Sequence, residues 1–136
     1  MYEILMPIDT SESRGRKQAA FVTALPGASE SIHVSLLYVF DDENKAETTA
    51  PRQLSGGNAA FKRLREANVG IEQVSRIGKP AEQIVSVAEE LDADLLVLGG
   101  RKHSPGRSAL FGSVTQSVIR QTERPVTVTG GEAAET

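Results

Sequence analysis

The stretch DADLLVLGG, residues 92–100, decides the fold. Its centre, LLVL at 95–98, is an apolar run without polar alternation, which suits a strand covered on both faces, as in a parallel sheet. Directly upstream, Ala81, Ile84, Val85, Ala88 and Leu91 recur at intervals of three and four, the spacing of one helix face. Pro80 is tolerated in the first turn of such a helix, where the amide it lacks would have no intrahelical partner. A helix feeding a doubly buried strand is half of a β-α-β crossover.

The alternation continues outward in both directions. Further strands are expected at YEILMPI (2–8), SIHVSLLYVF (31–40), IEQVSRI (71–77) and PVTVT (125–129). IEQVSRI alternates polar with apolar and belongs nearer an edge. A helix follows the capping-rich Thr10-Ser11-Glu12, with a stripe of Ala20, Phe21, Ala24 and Leu25 ending at Pro26-Gly27. Another carries Ala60, Phe61, Leu64 and Ala67, and the last carries Val114, Val118 and Ile119. The expected architecture is one α/β domain over 1–136, an open five-stranded parallel sheet with helices on both faces. A mobile excursion is expected over 41–57, DDENKAETTAPRQLSGG, and a frayed tail over 130–136.

Composition bounds what such a domain does. At 136 residues, folding buries roughly two-thirds of the unfolded chain's surface, enough for one core. With 39% hydrophobic residues, 4% aromatics and no Trp, that core is aliphatic and offers few platforms for base stacking. A net charge of -3 supplies no global basic field, so neither nucleic acid nor an anionic membrane surface is an expected partner. Absence of Cys removes disulfides, thiolate nucleophiles and Cys-based zinc sites. The opening MYEILMPID is too short for a membrane span and has no basic region ahead of it, so a soluble cytoplasmic protein is expected.

In an open parallel sheet, ligands sit beyond the strand C-termini, where the winding reverses. Two loops qualify: DTSES (9–13) and GGRKHSPGRSALFGS (99–113). Gly112-Ser113 opens a helix whose free N–H groups favour an anion, while Arg101, Lys102, Arg107 and a protonated His103 add positive charge. The same residues also suit a strand end, a helix start and a solvated loop, so a phosphate cradle and a plain surface loop both stay open. The loop is not a Walker A motif, because GRKHSPGRS has one residue too many between its glycines and Arg107 in place of Lys, and it lacks GxGxxG spacing.

Other candidates read as structure. Asp9 ends the first strand, placed to cap the next helix or to meet a ligand. His33 reads as a packed or edge residue, and His103 has no nearby His or Cys to share a metal. Glu89, Glu90, Asp92 and Asp94 read as a solvated acidic face, and no serine is coupled to His and a carboxylate. No catalytic residue and no protein-held metal are assigned.

Taken together, ILMPIDTSE, LLYVFD, IGKPAEQIVSVAEELDADLLVLGG and FGSVTQSVIRQTERPVTV resemble the universal stress protein family, over almost the whole chain. The resemblance implies a Rossmann-like, adenine nucleotide alpha hydrolase-like fold with strand order 3-2-1-4-5. It also implies bound ATP or AMP, with Mg only through the bound phosphates. Pro7, Asp9 and Val39 would line the adenosine pocket, and Leu98, Gly99, Gly112, Ser113 and Val114 would contact ribose or phosphates. The family's loop reads Gly, two residues, Gly, nine residues, Gly, then Ser or Thr; here the middle glycine is Lys102. A negative φ at Lys102 would pull the loop away, whereas a glycine-like path would bring its ammonium to phosphate. The resemblance further implies a homodimer through the strand from Val126 to Thr129 and a stress sensor or regulator acting on a client protein, with slow or no ATP hydrolysis. The alternative is a nucleotide-independent dimeric adaptor.

Overall fold

A computed structural model describes residues 1–101 and 112–132. Tyr2–Pro7 (β1), Ile32–Phe40 (β2), Gly70–Ile77 (β3), Leu95–Arg101 (β4) and Val126–Glu132 (β5) form one parallel sheet in the order β3-β2-β1-β4-β5. The expected strand order and the edge position of IEQVSRI are observed. Helices Glu12–Thr23 (α1) and Ser55–Glu66 (α4) cover one face, and Pro80–Leu91 (α5) and Ser113–Gln121 (α6) cover the other; the short helices Ala28–Ser31 (α2) and Glu43–Thr48 (α3) flank β2.

Period-two alternation divides the central strands between two cores. Ile4, Met6, Leu95 and Val97 pack with Ala19, Val22, Ala60 and Leu64 on the α1–α4 side. Leu5, Leu96 and Leu98 pack with Ile84, Val87, Ala88 and Val118 on the α5–α6 side. This two-sided burial is why residues 95–98 read as an unbroken apolar run.

Two helix faces differ from expectation. On α1 the buried residues are Gly15, Gln18, Ala19 and Val22, while Phe21 and Leu25 pack only at the margin of the core. On α6 the buried residues are Thr115 and Val118, leaving Val114 38% and Ile119 41% exposed. On each face a polar or small residue, Gly15 and Gln18 on α1 and Thr115 on α6, is buried beside the apolar ones.

Residues 41–57, where a mobile excursion is expected from the sequence, contain regular elements. A short helix, Glu43–Thr48 (α3), precedes a 3-10 turn at Pro51–Gln53, and α4 then begins at Ser55. Gly56 and Gly57, read as loop residues, are buried helix positions. A Cβ on Gly15 would collide with the Gly56 carbonyl, and one on Gly56 would collide with the Asp9 carbonyl. These glycines serve backbone-to-backbone approach, not flexibility. At the C-terminus β5 runs to Glu132; 133–136 lie outside the described residues.

The acidic residues Glu89, Glu90, Asp92 and Asp94 are solvent-exposed, as expected, and are also paired. Arg124 donates to Glu89 (3.0 Å), Asp92 (2.6 Å) and the Ala93 carbonyl (2.9 Å), tying the start of β5 to the end of α5. Glu90 accepts from Arg76 at 2.7 Å, and Asp94 accepts from the Glu3 amide at 2.8 Å. His33 lies between Glu3 (2.8 Å) and Glu72 (3.8 Å) on three adjacent strands.

Candidate functional site

β1 has β2 on one side and β4 on the other, so the winding reverses between β1 and β4. Their ladder pairs Ile4 with Leu95 and Leu5 with Leu96. Beyond those pairs Gln18 of α1 bridges the strands, its Nε2 donating to the carbonyls of Pro7 (2.8 Å) and Val97 (3.0 Å). Two satisfied N–H bonds explain how this amide is only 2% exposed.

A cleft of about 320 Å³ opens at this fork. Pro7, Asp9, Val39, Leu98, Gly99, Gly112, Ser113 and Val114, expected from the sequence, all line it. Lys102, together with His103 and Arg107, lies outside the described residues. Ile8, Arg14, Leu37, Tyr38, Pro80, Ile84 and Thr115 complete the lining and were not expected there. Pro80 and Ile84 belong to the first turns of α5, whose N-terminus opens beside the end of β2.

The Asp9 side chain is held from two directions. Its Oδ1 accepts the Ser11 amide at 2.8 Å and its Oδ2 accepts Arg14 Nε at 2.9 Å. Ser11 is the N-cap of α1, its Oγ accepting the Arg14 amide at 3.2 Å. The capping role considered for Asp9 therefore falls to Ser11, and the Asp9 carboxylate, 45% exposed against 16% for Arg14, stays on the cleft wall. The only sequence signal for Arg14 is its place three residues after the cap, on the cleft side of the first turn.

At the other end, Gly112 and residues 113–115 of α6 line the cleft. Gly112 is the N-cap, in extended conformation, and gives no side-chain acceptor to the first turn. Amides at such a terminus, with the helix dipole behind them, favour an anion. The opposite end, Leu37, Val39, Pro80 and Ile84, is apolar. Among the described residues no three His, Cys, Asp or Glu side chains converge in a way that would hold a metal ion.

The universal stress protein family model matches residues 1–130. The chain belongs to that family. A universal stress protein of Methanocaldococcus jannaschii is 26% identical over 125 residues, covering 92% of this chain and 74% of the relative. Its solved structure superposes with a TM-score of 0.75 at 27% identity, covering 98% of this chain and 99% of the other. The Archaeoglobus fulgidus universal stress protein in complex with dAMP (TM-score 0.67, 20% identity, 95% and 98% coverage) has the same fold. So does an Arabidopsis thaliana family protein with AMP bound (TM-score 0.65, 17% identity, 98% and 94% coverage). In this universal stress protein, the fork between β1 and β4 thus lies in a family-typical sheet, with an Asp9–Arg14 pair on its wall.

Proposed function

We propose that the cleft binds an adenine nucleotide, ATP or AMP, and that the protein works as a homodimeric stress-response sensor or regulator, not as a fast catalyst. One observation carries this reading: the cleft at the β1–β4 fork has an anion-favouring helix terminus at one end and an apolar end across the sheet. Phosphate suits the first and a purine the second. The dAMP and AMP held by solved family members support it. Pro7, Asp9 and Val39 are assigned to adenosine, and Leu98, Gly99, Gly112, Ser113 and Val114 to ribose and phosphate, with Lys102 beside the phosphates. Mg²⁺ would arrive only with those phosphates.

The dimer is assigned to β5, which has β4 on one side only and ends the sheet. A free strand edge is stabilised by pairing with a second copy. No described helix is long and apolar enough to cross a membrane, and a cytoplasmic location is part of the same proposal.

Calorimetric titration with ATP, AMP and cyclic AMP tests the reading. Micromolar binding of at least one is expected; no heat with any of them would leave the nucleotide-independent adaptor, in which Lys102 has abolished the phosphate contact. Lys102→Gly separates the two outcomes of that substitution: tighter binding marks Lys102 as an obstruction, and weaker binding marks it as a phosphate ligand.

A further inference from the structure

The cleft does not end at β2. It runs from α6 and β4 across β1 to β2, and a second, half-open chamber of about 410 Å³ adjoins it at the end of β2, beside α3. Tyr38, Val39 and Pro80 line both and form the shared rim. Beyond them the chamber is walled by Phe40 and Leu54, with Thr49 between the short helix and the 3-10 turn. Phe40 is braced edge-to-face against Tyr38, with ring centroids 4.7 Å apart. Asp41 and Lys45, paired at 3.6 Å and largely exposed, provide a polar mouth. A half-open hollow with apolar walls at Phe40, Leu54 and Pro80 and a charged rim suits a hydrophobic group attached to a polar ligand.

We propose that this chamber is a subsite for a substituent on the base, so that the protein accepts adenine nucleotides carrying an apolar or aromatic group on the exocyclic amine. The proposal rests on the nucleotide reading above. With phosphate at the α6 terminus, the ribose is directed back towards β4, and the six-membered edge of adenine, farthest from the ribose, is directed over β2. The exocyclic amine on that edge faces the shared rim of Tyr38, Val39 and Pro80. A group attached there passes from the first chamber into the second without moving the phosphate end.

Titrations of the full chain with AMP and with N6-benzyl-AMP test this. The benzyl compound is expected to bind at least about tenfold more tightly, through burial of the ring in the chamber. Thr49→Trp fills the chamber without touching the first cleft; it should erase that gain and leave AMP affinity within about twofold. Amide NMR shifts give a second measurement on the unmodified chain, with benzyl-specific changes expected at Phe40, Thr49 and Leu54. AMP binding with an equal or weaker benzyl compound, or a gain that survives in Thr49→Trp with no benzyl-specific shifts, would overturn the subsite alone. Binding of neither nucleotide would overturn the subsite and the nucleotide reading together.

Discussion

Gly99 lies against the side chain of Arg14: a Cβ built at Gly99 would stand 3.3 Å from both the Cβ and the Cδ of Arg14. The guanidinium that reaches Asp9 therefore passes through space that any larger residue on β4 would claim. Gly99→Val is expected to cost about 1–3 kcal/mol of stability by overpacking and to lower nucleotide affinity at least about tenfold. In the double variant with Arg14→Ala, part of the lost stability should return, a coupling that a thermodynamic cycle from denaturation curves measures.

Gln18 supplies the bridge where the β1–β4 ladder ends. Gln18→Leu keeps the volume but leaves the Pro7 and Val97 carbonyls without that donor. A loss of about 1–3 kcal/mol is expected in urea unfolding. Faster amide exchange near Leu98 and Gly99 should accompany it, and an unchanged exchange pattern there would contradict the bridging role.

Ser35 Oγ is the buried side-chain polar atom left without a hydrogen-bond partner among the described residues, in a residue 1% exposed on β2. Removing it relieves a desolvation cost and opens little space. Ser35→Ala is expected to raise stability by about 1 kcal/mol, read as a higher midpoint in denaturant with an unchanged slope.

The Glu89 carboxyl is held below its ordinary value of 4.5, first by its hydrogen bonds from Arg124 and then by that residue's charge, against smaller opposing effects of desolvation and Asp92. A depressed folded value means that the stabilisation is fully present above the unfolded value near 4.5 and is lost as pH falls through the lower, folded one. Thermal melts between pH 6 and about 3 should therefore show a decline that is shallower in Arg124→Ala. Equal slopes in the two proteins would remove this contact as a source of acid sensitivity.

Gly56→Ala places a methyl group against the Asp9 and Ser11 carbonyls. Neither carbonyl belongs to a flexible side-chain end, so the loop itself must move. A stability loss of about 1–3 kcal/mol is expected, together with weaker nucleotide binding, whereas Asn58→Ala on the exposed side of the same helix should change neither.

The sheet was legible because residues 95–98 are buried on both faces and residues 71–77 on neither completely. A third strand with alternating polarity has to lie at an edge, and it does. The α1 face was misread because apolar periodicity gives no weight to Gln18, which is buried through its two carbonyl partners, or to Gly15, which is buried against backbone. The start of α4 was missed for the same reason, since Gly56 and Gly57 carry no hydrophobic signal yet are buried against backbone. At the cleft, the residues named from family spacing are those on strand ends and at the start of α6. Arg14 and Pro80 enter it from the neighbouring helices α1 and α5, through packing that linear spacing does not encode.

The glycine contacts between α1, α4 and the Asp9 loop make the wall of the cleft sensitive in one direction only. Its shape depends on carbons that are absent, so a single added methyl disturbs it, and the opposing surface is main chain, which offers no side chain to trim in compensation. Repair after such a change would require shifting a whole helix. Ligand preference in this protein should therefore vary through residues such as Tyr38 on β2 and Thr49 and Leu54 beyond it, where a side chain can be exchanged and the scaffold left as it is.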